Sequence, residues 1–314
     1  MAFTPPKETY TGKVYTTAIG QSEVAIGGES VLPFHSFEGT MPNRPVIACE
    51  IMDIPPTDWP DTVKEAYASV GDDPVKWALH CQDTLKAKML ALRLSGTHPD
   101  NGDLSANDAA KVVKDVLGAI KVPLIIIGSN HAEKDTEVLV KASEVAKGYN
   151  CIIGKAQEAN YKTIAASAMA NGHKLIAMSE LDINLSKQLN IMITQLGLSK
   201  DRIIVDPMCS ALGYGLEYTY SVMERIRLAA LTQNDTMMQQ PMLADVGVYV
   251  WKIKEVSASE ELLPEWGSLK ERGIAWEAQT AASLMLSGAE LLIMRHPQAI
   301  STIEAFIDEM QEAN

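Results

Sequence analysis

Nearly all the residues able to do chemistry fall directly after short apolar runs. Asp206 follows 203–205, Lys155 follows 151–153, Asp245 follows 242–244, and Arg295 with His296 follows 291–294. Asp53, the Ser95, Thr97 and His98 group, Ser129 with Asn130 and His131, Gln157 with Glu158, and Ser179 with Glu180 and Asp182 stand in the same relation to other runs. A lysine at such a point has the reach of a Schiff-base nucleophile, but pairing with Glu158 or a neighbouring strand-end carboxylate is its simpler role. Asp206 suits either proton abstraction or acceptance of hydrogen bonds from a heterocycle. With Met208 and Tyr214 close by in sequence, the second role asks for less. Of the six histidines, His98 and His296 each precede a proline, and His131 lies on a third loop. No H-x-H or H-E-x-x-H spacing joins them, so loop or helix-end histidines held by carboxylates are expected rather than metal ligands. The four cysteines, Cys49, Cys81, Cys151 and Cys209, lie far apart, without the spacing of an iron–sulfur cluster or structural zinc. Cys49 and Cys151 sit within apolar runs as small hydrophobes, whereas Cys209, in the loop after Asp206, is the single candidate thiolate.

What must position these residues is clearest over 202–231. A β-branched run, 203–205, is stopped by Asp206-Pro207, because proline has no N–H for a ladder and disfavours helix at the residue before it. Gly213-Tyr214-Gly215 makes a permissive turn, able to hold an anion at a helix start, though a lone G-x-G is a weak motif. Leu216, Tyr220, Met223, Ile226 and Ala230 then recur at helical spacing. The same strand, loop and helix order repeats along the chain. Strands are expected near 46–52, 89–94, 124–127, 151–153, 175–178, 203–205, 242–244 and 291–294. Helices are expected over 106–120, 134–147, 160–170, 183–196, 275–286 and 297–310. Eight such units predict an α/β fold, a (β/α)8 TIM barrel over 46–314, whose ligand site lies in the loops after the strands. A doubly wound sheet is the alternative, but no complete G-x-G-x-x-G follows the first strand.

Residues 1–45 do not fit the repeat. Two β-prone runs, 13–19 and 22–26, predict an N-terminal hairpin extension packed on the main body or on a partner. Leu32 to His35 and Phe37 then form an aromatic cluster, either a plug over one end of the core or an interface. Two further stretches, 54–74 and 246–273, exceed the usual length of a barrel loop and are rich in proline and tryptophan, the composition of a lid or docking surface.

Composition narrows the setting. A net charge of −13 argues against a nucleic-acid partner, which would want a basic face. No apolar run approaches the ~20 residues that span a bilayer, and the opening MAFTPPKETYTG lacks the form of a secretory signal, so a soluble cytoplasmic protein is expected.

Four long segments carry a resemblance: LPFHSFEGTMPNRPVIACEIMD at 32–53, NHAEKDTEVL at 130–139, DPMCSALGYGLEYTYSVMERIRLAAL at 206–231 and IAWEAQTAASLMLSGAELLIMRHP at 274–297. In this order they resemble the small subunit of the corrinoid iron–sulfur protein, whose archaeal counterpart is the acetyl-CoA decarbonylase/synthase delta subunit. The resemblance spans nearly the whole chain. It implies a non-catalytic subunit of a methyl carrier in the reductive acetyl-CoA (Wood–Ljungdahl) pathway of an anaerobe. In that family the large subunit of a heterodimer holds a [4Fe-4S] cluster and the corrinoid (cobalamin) domain, and the small subunit is a barrel whose mouth covers the corrinoid. A methyltransferase moves the methyl group of methyltetrahydrofolate onto Co(I), and the carrier delivers it to acetyl-CoA synthase. The absence of clustered cysteines here is compatible with a cluster on the partner. The Asp-x-His-x-x-Gly corrinoid motif is also absent, since His35 is followed by Ser36-Phe37-Glu38-Gly39, so no histidine ligand to cobalt is indicated. On strand-end position, the corrinoid contacts are assigned to Asp206, Met208, Gly213 and Tyr214, with Asn130, Gln157, Glu180 and His296 behind them. Two rivals stand beside this: a pterin-binding methyltransferase that methylates free cob(I)alamin alone, and a structural partner that never touches the corrinoid.

Overall fold

A computed structural model describes residues 6–312 of the chain. Its body is a closed parallel barrel of eight strands: β3 (Val46–Met52), β4 (Met89–Arg93), β5 (Leu124–Ile127), β6 (Ile152–Ala156), β7 (Lys174–Met178), β8 (Ile203–Asp206), β9 (Met242–Ala244) and β10 (Ala289–Met294). The strands neighbour one another in chain order, and β10 closes on β3 through the register Leu291↔Val46 to Met294↔Cys49. This is the expected (β/α)8 barrel. The connecting helices are α1 (Asp61–Ala66), α2 (Pro74–Leu79), α3 (Ala106–Ala119), α4 (Ala132–Val145), α5 (Tyr161–Asn171), α6 (Ile183–Gln195), α7 (Leu216–Leu231), α8 (Val246–Val250), α9 (Leu269–Leu286) and α10 (Pro297–Glu312). Among the described residues no helix is long and apolar enough to cross a membrane.

Strands buried on both faces explain the continuous apolar runs, and strand periodicity sorts them into two cores. Val46 and Ala48, Met89 and Ala91, Ile125 and Ile127, Leu291 and Ile293 fill the barrel interior, together with Ile152, Ile176, Ile204 and Leu243. The residues between them, such as Ile47, Cys49, Leu90, Leu92, Ile126 and Leu292, belong to the layer between sheet and helices.

An antiparallel hairpin, β1 (Thr16–Ile19) and β2 (Val24–Gly27), precedes the barrel. It packs on the body, and its Ile19 and Ile26 complete the interior cluster. It is bonded to segments that lead into the strands: backbone Tyr15 N donates to Gln239 O at 2.7 Å and Gly20 N to Asn150 O at 2.9 Å, and the Thr17 side-chain hydroxyl donates to Asp201 O at 2.7 Å. The hairpin therefore closes the N-terminal end of the barrel and leaves the opposite end for function. In the aromatic cluster that follows, Phe34 joins the outer core, while Phe37 is exposed and stacks on His35.

Several boundaries differ from the sequence expectation. The stretch 54–74 contains α1, and 246–273 contains α8 and two 3-10 turns, so neither is an irregular loop. Helix α9 begins six residues earlier than the apolar spacing suggests, because Ser268 caps it by accepting from Glu271 N, a serine and glutamate pair at cap spacing. Strand β6 runs on to Ala156, which puts Lys155 inside the barrel wall rather than in the loop after it.

The chain after the hairpin is tied to the wall by a buried charge cluster. Arg227 of α7 donates to Glu290 of β10 at 2.5 Å, and the other Glu290 oxygen accepts from Met242 N at 2.6 Å. Glu29 is buried beside them, and its carboxyl oxygens meet no N–H donor. Burial pushes Glu290 up to about 8, with Glu29 adding to the rise and Arg227 opposing it, and burial raises Glu29 as well. Two acids beside one arginine are satisfied when they share a proton. Because both are raised above their ordinary values, the stability they contribute is complete below about pH 4.5 and is lost as pH climbs through about 8. The urea midpoint should therefore fall between pH 5.5 and 8.5 in the wild type, and Glu29→Gln, whose amide supplies the missing N–H, should remove most of that fall. A decline of equal size in the variant would contradict the shared proton.

Candidate functional site

At the C-terminal end of the barrel the next inward layer changes from apolar to ionic. Counting by two from the interior residues gives Glu50 from β3, Arg93 from β4, Asp206 from β8, and Asp245 and Arg295 just beyond β9 and β10. Lys155 of β6 joins them at a register shift in the β6–β7 pairing. These six side chains form one alternating line. Arg295 and Arg93 each bond a different oxygen of Glu50. Arg93 also grips Asp245 with both oxygens, at 2.9 and 2.7 Å, and Lys155 Nζ lies 2.8 Å from Asp245 and 2.7 Å from Asp206. Three cations meet three anions, so the floor carries no net charge.

Environment sets the ionisation of this line. Burial alone would raise the Glu50 carboxyl, but Arg295 and Arg93 bring it below its ordinary value. Asp245 is likewise opposed by burial and held far down by Arg93 and Lys155. Lys155, which burial would discharge, is kept protonated by Asp206 and Asp245. A lysine in that state is no Schiff-base nucleophile at neutral pH. Its partners are strand-end carboxylates; Glu158 is exposed.

A cavity of about 330 Å³ opens above this floor, lined by Arg93, Asn130, Lys155, Asp245, Tyr249 and Arg295, with Met52 and Val248 among its apolar walls. Its rim is held by buried carboxylates. Asp135 accepts from Ser129 N at 2.7 Å and Asn130 N at 2.9 Å, and a Cβ on Gly128 would overlap that carboxylate. Asp53 accepts from Gly96 N at 2.9 Å. Glu277 of α9 accepts from the backbone N–H groups of Arg295 (2.6 Å) and His296 (3.0 Å), with burial pushing its carboxyl up to about 7. The Arg295 guanidinium lies 4.5 Å above the Trp59 ring, so α1's approach loop is pinned to the last strand. Asn130, Glu180, Leu181 and Met208, all at strand ends, have positive φ angles (74°, 44°, 62° and 66°). Strain of this kind, in side chains that disfavour it, collects where a backbone must present groups to a ligand.

The assigned contacts separate into three groups. Asn130 lines the cavity, Gln157 lines a small void beside it, and Asp206 lies beneath, paired to Lys155. Met208, Gly213, Tyr214 and Glu180 stand around the rim: Met208 half-buried, the others exposed, with the Tyr214 hydroxyl donating to Glu255. His296 is buried against Trp251, their ring centroids 6.0 Å apart, and its Nδ1 accepts from Gln298 N. Burial, with Lys270 nearby, pushes it down to about 4, so it is a neutral helix-end histidine. His98 and His131 meet edge to face at 5.5 Å, and each Nδ1 accepts a backbone N–H, from Asp100 and Lys134. Cys209 is buried, and burial, with Asp206 and Asp245 adding, raises its thiol well above the ordinary range, which removes the thiolate reading. Glu50 and Arg93 are the functional residues that sequence reasoning missed, because both lie inside strands rather than after them.

Comparison with known proteins follows the same lines. The model of the family described as CO dehydrogenase/acetyl-CoA synthase delta subunit matches residues 11–305. The acetyl-CoA decarbonylase/synthase complex subunit delta of Archaeoglobus fulgidus is 36% identical over 317 residues, covering 96% of this chain and 69% of the relative. Subunit delta 1 of Methanosarcina thermophila is 38% identical, covering 92% of this chain and 67% of the relative. Among solved structures, a dihydropteroate synthase of Coxiella burnetii in complex with pteroic acid aligns with TM-score 0.58 at 12% identity, covering 96% of this chain and all of that one. A Xanthomonas albilineans dihydropteroate synthase with 4-aminobenzoic acid aligns with TM-score 0.56 at 16% identity, covering 86% and 93%. At these identities the structural likeness speaks for the barrel fold alone.

Removing one member of the ionic line leaves its partners buried and unpaired. Lys155→Met should cost about 3–5 kcal/mol in urea unfolding, with Asp206→Asn recovering part of the loss in the double variant. A loss under about 1 kcal/mol, the value of an exposed pair, would mean that the line is not a desolvated unit.

Proposed function

The chain belongs to the CO dehydrogenase/acetyl-CoA synthase delta subunit family, and on that premise we propose that it is the small subunit of a heterodimeric corrinoid iron–sulfur protein. On this reading it is a carrier subunit with no catalysis of its own. The heterodimer receives methyl groups from methyltetrahydrofolate through a methyltransferase and passes them to acetyl-CoA synthase.

The observation that carries the reading is the neutral ionic floor. Each of its six charged side chains is committed to another, leaving none in the line as a free base or nucleophile. Such a surface is polar yet electrically balanced, which suits covering a cofactor better than transforming a substrate. The cavity lies at the low end of small-ligand pockets (about 300–1000 Å³), so it can receive one face or edge of a macrocycle while a partner holds the rest. When bound, the corrinoid supplies a cobalt centre that takes up and gives up a methyl group. Toward it, Asn130 and Tyr249 offer hydrogen-bonding groups, while Met52 and Val248 exclude water from the covered face. Nδ1 of His98, His131 and His296 each accepts a backbone N–H in a local cap, so none of these three histidines would hold the corrinoid through that nitrogen. All four cysteines are buried in the outer core, and only Cys49 and Cys81 meet, Sγ to Sγ at 3.3 Å; a pair falls short of the four thiolates that a [4Fe-4S] cluster takes, which supports a cluster housed on the large subunit.

Co-expression with a cysteine-rich large subunit should give a 1:1 heterodimer that carries cobalt and iron and absorbs in the visible, beside a colourless isolated chain. A monomer or homodimer that turns over methyltetrahydrofolate unaided would overturn the carrier reading. Within the heterodimer, Asn130→Ala should weaken corrinoid retention by about 1 kcal/mol, roughly fivefold, the worth of one hydrogen bond, as measured by cobalt content after dialysis. Unchanged retention would remove Asn130 from the contact set.

A further inference from the structure

Beside the mouth, the chain builds a second feature that the covering role does not use. Tyr218, Leu262, Trp266 and Tyr214 are 66%, 74%, 50% and 44% exposed, an unusual concentration of large apolar side chains in water. Tyr218 lies beside Gly215 of the turn that carries Tyr214, Leu262 shares its excursion with Trp266, and the turn and the excursion are joined by contacts. Trp266 stacks on Trp276 with centroids 5.2 Å apart and planes 11° from parallel, and Trp276 Nε1 donates to Leu212 O at 2.8 Å, beside the Gly213 turn. Tyr214, on that turn, reaches back to Glu255 at the base of the excursion carrying Leu262 and Trp266.

The excursion is a fixed platform and not a lid. Arg272 of α9 is buried beneath it and binds three of its carbonyls: Glu255 O at 2.8 Å, Ala258 O at 3.0 Å and Gly267 O at 3.2 Å. Ile253 and Val256 are buried in the outer core, and Glu260 accepts from Leu269 N at the far end. A ridge held this way loses little conformational entropy on being covered. Exposed and tied down from below, it suits an apolar groove on a macromolecule better than a small molecule.

Charge selects the occupant. Residues 254–271 hold five acidic and two basic side chains, and the exposed Glu261 and Glu265 flank Leu262 and Trp266. A second copy of a chain with net charge −13 would meet this ridge with like charge, as would an anionic membrane. We infer that the ridge of Tyr214, Tyr218, Leu262 and Trp266 docks a protein partner through an apolar groove edged with lysine and arginine. On the reading of the preceding subsection, on which the partner's identity rests, that protein is the large subunit. Docking there would bring the partner to the same rim that borders the mouth.

The test uses the full-length chain titrated with the purified large subunit at low and high salt, with thermal melting as the check on folding. Leu262→Ser with Trp266→Ala should melt as the wild type and bind at least about tenfold more weakly, as loss of aromatic anchors does. Glu261→Lys with Glu265→Lys should weaken binding at low salt, with the difference shrinking at high salt. Wild-type affinity in both variants would overturn the docking assignment alone, leaving the heterodimer intact. No binding by the wild-type chain would overturn the carrier reading and the docking assignment with it. An isolated wild-type chain that dimerises, and is made monomeric by Trp266→Ala, would assign the ridge to self-association instead.

Discussion

The alternating line Arg295–Glu50–Arg93–Asp245–Lys155–Asp206 is the interaction on which the upper half of the molecule depends. Taking six charges out of water is costly, and their mutual attraction offsets that cost only when geometry is good and each charge has close partners. The line meets that condition by drawing its members from six different strands or strand ends, so the pairs form only when the sheet has closed into a barrel. It also fixes what the mouth is: a rigid polar floor without net charge. Its neighbours hold the rim against it. Glu277 grips the backbone at Arg295, and Trp59 lies under the Arg295 guanidinium.

The two ends of the barrel divide the work. At the N-terminal end the hairpin fills the interior with Ile19 and Ile26, and the segment after it is tied down by the Glu29, Glu290 and Arg227 cluster. That end supplies stability. At the other end, the six-membered ionic line and the exposed aromatics gather, as expected where a fold departs from its most stable arrangement to present a surface. The Tyr214 turn belongs to both features of that end, because it follows Asp206 in chain and abuts the Trp266 ridge in space.

Much of this was legible from local pattern. The β-branched runs and helical spacing place all eight strands, because strands buried on both faces carry a continuous apolar signal. The position of Lys155 predicts a partner in Glu158 or a strand-end carboxylate, and Asp206 and Asp245 are its partners. What stayed hidden has specific causes. Glu50 and Arg93 lie inside strands, and a search of the loops passes over them. Yet each falls two residues beyond an inward-facing alanine, Ala48 or Ala91, so period-two counting along the barrel wall would have flagged them. The early start of α9 was signalled by Ser268 and Glu271 at cap spacing, a cue weaker than the apolar repeat that followed. No local pattern tells that Tyr214 turns toward Glu255 and away from the cavity, or that His296 packs on Trp251, because both depend on contacts between distant segments.

The proposed covering role rests on an ionic floor that behaves as one unit. A double-mutant cycle joining the two ends of the line, Arg295→Met with Asp206→Asn, tests that most directly through unfolding free energies. These side chains share no direct ion pair, so independent pairs would give additive losses within about 0.5 kcal/mol. The account predicts a coupling of about 1–3 kcal/mol, the range found within one ionic network. Additivity would contradict it and reduce the floor to separate local bridges.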